Sequence, residues 1–183
     1  MRLAIGSSMN SRQQLAKQIV QRCTLHGEFT LRSGQKSNIY FDKYLLESDP
    51  ALLREITLQM KALLPSGADA LAGLETGGIP IAVMLAQHTG LPSLFVRKKA
   101  KDYGTCKLAE GGELKGKRLI IVEDVVTSGG QVLISAKDLR ALGAEIIGVV
   151  CVIDREQGGR EALAKEGMEL RPLFTRKELE AAK

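Results

Sequence analysis

The chain has 183 residues, of which 44% are hydrophobic and 26% are charged. This composition supplies enough apolar material for one folded domain and excludes a disordered polypeptide. Three cysteines are too sparse for a disulfide framework, and two isolated histidines argue against a zinc site. The longest strongly apolar run, 146–153, is too short to span a membrane, and no signal peptide is visible. We therefore expect a cytoplasmic protein that has no membrane partner.

The formal net charge of +5 is concentrated in one stretch of the chain. Residues 97–118 hold eight lysines and arginines against three acids, and the other 161 residues balance at 18 of each sign. This stretch contains glycines and does not follow a helix face. It therefore favours a loop that closes on a small polyanion over a nucleic-acid surface, with a solvated basic loop as the alternative.

Taken in chain order, the patterns predict a helix over 11–23, a β-hairpin within 27–44 and a second helix that begins after Asp49. Strands and helices then alternate. The predicted strands are 69–74, 94–97, 118–123, 145–153 and 169–174, and the predicted helices are 79–87, 130–142, 159–165 and a short helix opened by Thr175 and Glu178. This order predicts an α/β fold with a central parallel five-stranded sheet flanked by helices. We expect a single domain, 1–183, with a small N-terminal hood from about 1–48 and a core from about 49–183.

The strongest functional signal is the segment LIIVEDVVTSGGQ at 119–131. An apolar strand delivers two adjacent carboxylates, Glu123 and Asp124, to its C-terminal end, and a turn of small residues at 127–130 leads into a helix. The backbone N–H groups of such a turn suit a phosphate. The carboxylates suit ribose hydroxyls, or a Mg²⁺ shared with the ligand. Because ligands bind beyond the carboxyl ends of parallel strands, the segment predicts a sugar-phosphate site.

Segment 119–131 resembles the 5-phosphoribosyl 1-pyrophosphate (PRPP) motif of the type I phosphoribosyltransferases. Four further segments are similar to the orotate phosphoribosyltransferase family within that group. They are FTLRSGQKSNIYF at 29–41, GLETGGIPIA at 73–82, RKKAKDYGT at 97–105 and CVIDREQGG at 151–159. The resemblance implies the type I fold and a Mg²⁺-dependent transfer of the phosphoribosyl group of PRPP to orotate. The products would be orotidine 5′-monophosphate and pyrophosphate, in pyrimidine (UMP) synthesis.

The resemblance also implies roles for individual residues. Lys101, Glu123 and Asp124 would be catalytic, with the two carboxylates on the ribose hydroxyls. The PRPP-binding residues would be Arg32, Gly77, Arg97, Lys98, Lys101, Tyr103, Glu123, Asp124, Val125, Val126, Thr127, Ser128, Gly129, Gly130 and Gln131. The orotate-binding residues would be Tyr40, Phe41, Thr127 and Arg155, of which the arginine suits the acid group and an aromatic ring suits the face of the base. No residue is assigned as a direct Mg²⁺ ligand, because the metal would be held mainly by PRPP, near Asp124.

The chain departs from the family pattern at three of these positions. Many members carry lysine where this chain has Arg32 and Gly77, and histidine where it has Tyr103. Gly77 contributes only backbone, and a neutral tyrosine cannot act as an imidazole does. The resemblance further implies a homodimer with shared active sites, in which the basic loop acts in the neighbour's site, and no nucleic-acid partner. Two alternatives stay open: a type I enzyme for a purine base, and a PRPP-sensing regulatory protein.

Overall fold

The computed structural model describes residues 8–30, 34–100 and 107–182. The helices in these ranges are α1 (Ser8–Cys23), α2 (Tyr44–Glu47), α3 (Pro50–Met60), α4 (Gly78–Thr89), α5 (Gly130–Ala141), α6 (Gly159–Lys165) and α7 (Arg176–Glu180). The strands are β1 (Thr24–Thr30), β2 (Lys36–Phe41), β3 (Ala70–Leu74), β4 (Ser93–Val96), β5 (Ala109–Glu110), β6 (Arg118–Val126), β7 (Glu145–Asp154) and β8 (Leu170–Thr175). No helix in the described ranges is long and apolar enough to cross a membrane.

Within the described ranges, the central sheet has the strand order β5-β4-β3-β6-β7-β8. Strands β4, β3, β6, β7 and β8 run parallel, which confirms the predicted five-stranded parallel sheet. The two-residue strand β5 is the outermost strand of the sheet and pairs antiparallel with β4. It was not predicted. Because the five strands are parallel, their carboxyl ends meet at one edge of the sheet.

The sheet separates two hydrophobic cores. Along β6, Ile120 and Val122 face one core, and Leu119 and Ile121 face the other, as alternate residues of a strand must. Helices α1, α3 and α4 cover the first core, and α5 and α6 cover the second. Coverage of both faces explains why β6 and β7 appear in the sequence as continuous apolar runs.

The predicted hairpin is present as an antiparallel pair, β1 and β2, which forms its own two-stranded sheet. The backbone N–H of Asp42 donates to the carbonyl of Cys23 at 2.8 Å and closes this hairpin against the end of α1. Asp49 caps α3 as predicted, because its carboxylate accepts the N–H groups of Ala51 and Leu52. The segment between the hairpin and α3 carries the short helix α2 to the carboxyl edge of the sheet.

Candidate active site

Four neighbouring strands deliver predicted site residues to the carboxyl edge of the sheet. Gly77 follows β3, Arg97 and Lys98 follow β4, the acidic pair and its turn end β6, and Arg155 follows β7. The Lys98 N–H donates to a carboxylate oxygen of Glu75 at 3.0 Å, which joins the ends of β4 and β3. The Arg155 N–H donates to the Val126 carbonyl at 2.9 Å, which joins the ends of β7 and β6. The fold therefore gathers segments that are about 80 residues apart along the chain.

The acidic pair lies inside β6. The strand ends at Val126, three residues beyond the predicted end at Glu123, and the residues Glu123 and Asp124 are only 8% and 1% exposed. The carboxylate of Glu123 accepts the Asp124 N–H at 3.0 Å, and the carboxylate of Asp124 accepts the Val125 N–H at 2.5 Å. Two adjacent carboxyl groups are thus held in low-dielectric surroundings, where ionising both of them costs free energy.

Two ionisable side chains that sequence reasoning missed complete this cluster. Lys43 Nζ lies 2.5 Å from Asp124 Oδ2, and Glu47 of α2 lies beside the same carboxylate. Gly77 faces both acids: a Cβ atom there would overlap the carboxylate of Asp124 and lie 2.7 Å from Glu47 Oε1. The only sequence signal was an i,i+4 lysine–glutamate spacing in KYLLE, which does not indicate a contact with β6.

The four ionisable groups shift one another's pKa values. Burial, together with the hydrogen bond to ionised Asp124 and its negative charge, raises the pKa of Glu47 to about 8. Burial and the charge of Asp124 raise the pKa of Glu123 to about 8 as well. Burial acts to raise the pKa of Asp124, but hydrogen bonds with Glu47 and Lys43 outweigh it and lower the value. These shifts favour an ionised Asp124 paired with the ammonium ion of Lys43, and they favour the protonated forms of Glu47 and Glu123 beside it.

Lys43 is affected by the same contacts in the opposite direction. Burial acts to lower its pKa, but the hydrogen bond to Asp124 and the negative charge of the acids raise it above the ordinary value. The ammonium group is thus charged throughout the physiological pH range.

The turn after β6 has the geometry of an anion site. Gly129 is the N-cap of α5 and has a φ of 78°, a left-handed conformation that favours glycine. Ser128 and Gly130 are exposed and Gly129 between them is buried, so the start of the helix is accessible to a ligand at two of these residues. The side chain of Val126 is buried in the core, so this residue can offer only its backbone to the site. The Gln131 side chain donates to Ser135 Oγ at 3.2 Å, within α5.

A cavity of about 250 Å³ lies between the hairpin and the end of β7. Its lining residues are Val20, Thr24, Ile39, Phe41, Ile153, Arg155, Gln157, Arg176, Leu179 and Glu180. Phe41 and Arg155 therefore share one cavity. Tyr40 is not among the lining residues, since neighbours on a strand point to opposite faces, and its ring lies 5.4 Å from that of Phe29.

Three predicted site residues, Arg32, Lys101 and Tyr103, lie outside the described residues. Their roles stay predictions from the sequence. Among the basic residues that flank them, Arg97 is positioned at the sheet by its backbone N–H, which donates to the Leu108 carbonyl at 2.9 Å.

Comparison with known proteins places this chain in a family. A family model described as a phosphoribosyl transferase domain matches residues 46–174. An orotate phosphoribosyltransferase of Nocardioides sp. is 54% identical over 169 residues, which cover 92% of this chain and 94% of the relative. The orotate phosphoribosyltransferase of Mycobacterium tuberculosis in complex with Fe(III) dicitrate is 30% identical, with a TM-score of 0.84 over 92% of this chain and 98% of the other. A second structure of that enzyme, in complex with PRPP, is 28% identical and has a TM-score of 0.79 over 93% and 99%.

Proposed function

This chain belongs to the orotate phosphoribosyltransferase family, and we infer that it makes orotidine 5′-monophosphate and pyrophosphate from orotate and PRPP. The assignment of this activity to the site described above rests on one observation. The acidic pair of β6, its glycine turn, the basic residues after β4 and Arg155 after β7 all lie at one edge of one parallel sheet. The arrangement offers carboxylates for ribose hydroxyls, N–H groups for a phosphate and cations for a pyrophosphate.

We propose that PRPP binds along the end of β6. The 5′-phosphate would accept hydrogen bonds from the N–H groups of 127–130, and the ribose hydroxyls would donate to Glu123 and Asp124. In the transfer, N1 of orotate, once its proton has left, attacks C1′ of the ribose. The bond from C1′ to the pyrophosphate oxygen breaks, and its electron pair leaves with the pyrophosphate. Ionised Asp124 would stabilise the positive charge that develops on the sugar.

The leaving pyrophosphate needs positive charge, and we propose that the basic stretch supplies it. Arg97 and Lys98 follow β4, which is separated from β6 by β3, and Arg97 Nε lies 3.9 Å from Glu110 Oε1 on the neighbouring strand β5. Lys101, which lies outside the described residues, would be the catalytic cation of the same stretch. Cations that are already in place when the charge develops lower the barrier because they need no reorganisation.

We propose that Mg²⁺ enters as part of the PRPP substrate. Carboxylate oxygens suit this ion, but the ammonium group of Lys43 already pairs with Asp124. Within the described ranges, no group of three or more His, Cys, Asp or Glu side chains is arranged to hold a metal. The pyrophosphate would therefore carry the ion, which would neutralise part of the leaving charge.

For the base, we propose the cavity that Phe41 and Arg155 share. Orotate is a planar monocarboxylate, so the guanidinium group can pair with its acid group while the phenyl ring covers its face. Thr127 and Tyr40 stay proposed orotate contacts; they are not among the residues that line this cavity.

We also propose a cytoplasmic homodimer in which the basic stretch acts in the neighbour's site. Residues 97–118 carry a net charge of +5 on an otherwise balanced chain. The polyanion PRPP, bound by the second subunit of a symmetric dimer, is a ligand that matches this charge. Cys23 and Cys151 are free and buried thiols, which fits a reducing compartment.

The test is a substrate panel. The protein is incubated with PRPP, Mg²⁺ and, in separate tubes, orotate, uracil, adenine, guanine or hypoxanthine. We expect loss of orotate absorbance, with pyrophosphate release, in the orotate tube alone. Turnover of a purine would replace the proposal with the purine enzyme. PRPP binding with no turnover in any tube would favour the regulatory alternative.

A further inference from the structure

We propose that Lys43 is a positioning residue of the transfer reaction, whose ammonium group holds the Asp124 carboxylate in the orientation that meets the ribose. The inference rests on the proposed function, because it requires Asp124 to contact PRPP. Lys43 itself needs no contact with substrate in this role.

The contact is an ion pair between a side chain at the surface and a buried one. The Lys43 side chain is 35% exposed and that of Asp124 is 1% exposed, with 2.5 Å between Nζ and Oδ2. Among the ion pairs of the described residues, this is the one that reaches the acidic pair of β6. Because the carboxylate has almost no access to solvent, the ammonium group serves as the counter-ion of a buried charge.

Each oxygen of Asp124 has its own partner. Oδ1 accepts the Val125 N–H at 2.5 Å, and Oδ2 pairs with Lys43. The other groups that face this carboxylate are acids: Glu123 on β6 and Glu47 on α2. Asp42 and Tyr44, which flank Lys43, also act on the cluster, the first on Glu47 and the second on Lys43. Without the ammonium group, the neighbours left for Oδ2 are carboxyl groups, so Asp124 would lose the cation that fixes its orientation.

The backbone beneath Lys43 is anchored on both sides. The N–H of Asp42 is bonded to the Cys23 carbonyl, and Leu46 is fully buried in the core. Gly77 lies so close to the same carboxylate oxygen, Oδ2 of Asp124, that a Cβ atom there would overlap it, so Asp124 is confined on this side by the backbone of the turn. The ammonium group therefore reaches the carboxylate from a fixed point and can hold it in one orientation.

The alternative is that Lys43 has a purely structural role, in which its ion pair joins the hood (about 1–48) to the core. Kinetic measurements separate the two roles. The variants are Lys43→Met, which keeps the stem but not the charge, and Lys43→Arg, which keeps the charge. Lys17→Met, at an exposed position of α1, is the matched control. For each protein we would measure kcat, the KM values for orotate and PRPP, Mg²⁺–PRPP binding by calorimetry, and thermal unfolding.

For Lys43→Met we expect kcat to fall by about 10- to 100-fold, because Asp124 would no longer be held toward the positive charge that develops on the sugar. The KM for orotate should change by less than about threefold, since the base would bind in the cavity of Phe41 and Arg155, which Lys43 does not line. Lys43→Arg should recover most of kcat, and Lys17→Met should equal the wild type. If Lys43→Met does not fold, Lys43→Gln replaces it, with the same expected loss.

Wild-type kcat in a folded Lys43→Met or Lys43→Gln variant would overturn the inference. So would a kcat loss that follows the loss of thermal stability and is not relieved by arginine. If the wild-type protein turns over no orotate, the proposed function has failed instead. PRPP binding then decides the inference: it should weaken in Lys43→Met and recover in Lys43→Arg, and equal affinities would overturn it.

Discussion

Glu47 allows the electrostatics of the site to be tested through the pH dependence of stability. Its pKa is raised from the ordinary 4.5 to about 8 in the folded protein. Between these two pH values the unfolded chain has lost a proton that the folded protein keeps. The stabilisation from this group is therefore fully present below about pH 4.5 and is lost as the pH rises toward 8. Glutamine at position 47 can still donate a hydrogen bond to Asp124 but cannot ionise.

The magnitude follows from the shift. A change from 4.5 to about 8 corresponds to about 5 kcal/mol if it is fully expressed. Glu47 is only partly buried and takes up its proton together with Glu123 beside the same Asp124, so we expect less than half of this, about 2 kcal/mol. For a chain of this size, that corresponds to about 4–8 °C in Tm.

The assay is thermal unfolding of the wild type and Glu47→Gln at intervals from about pH 5 to about pH 8.5. We expect the Tm of Glu47→Gln to rise relative to the wild type by about 4–8 °C across this range. Glu113→Gln, at an exposed position, is the control and should run parallel to the wild type. Parallel curves for Glu47→Gln as well would refute the reasoning, since they would mean that Glu47 ionises at its ordinary pKa in the folded protein.

Three further predictions concern the proposed roles of the site residues. Asp124→Asn should lower kcat by about 10- to 1000-fold in steady-state assays and should also lower Tm, because it removes the buried counter-ion of Lys43; unfolding without a specific kinetic loss would make the carboxylate structural. Arg155→Ala should lower kcat/KM for orotate by about 10- to 150-fold and leave PRPP binding nearly intact, and equal losses for both substrates would contradict its assignment. Lys101→Ala and Asp124→Ala, each inactive alone, should recover roughly a quarter of wild-type activity after subunit exchange, because about half the dimers are mixed and each holds one intact site. Activity that stays at background during exchange would mean that the basic stretch serves its own subunit.

The parallel sheet, its flanking helices and the motif of β6 could be predicted from the sequence. They depend on neighbours along the chain: the apolar runs, the caps at Asp49 and Thr175, and the carboxylates that directly precede a glycine turn. Such local signals need no knowledge of packing. The two-residue strand β5 could not be predicted, because its pairing with β4 and not its composition makes it a strand.

The predicted end of β6 at Glu123 was wrong for a physical reason. Because burying two charges costs free energy, an acidic pair predicts the end of a buried strand. The strand nevertheless continues to Val126. The counter-ion that offsets this cost is Lys43, about 80 residues earlier in the chain, and the raised pKa values of Glu47 and Glu123 reduce the negative charge that is buried. The sequence by itself predicted Glu123 and Asp124 as the residues of β6 that carry the proposed chemistry. Only the tertiary structure decided their ionisation, because the charges that set it come from a segment that folding brings to the sheet edge.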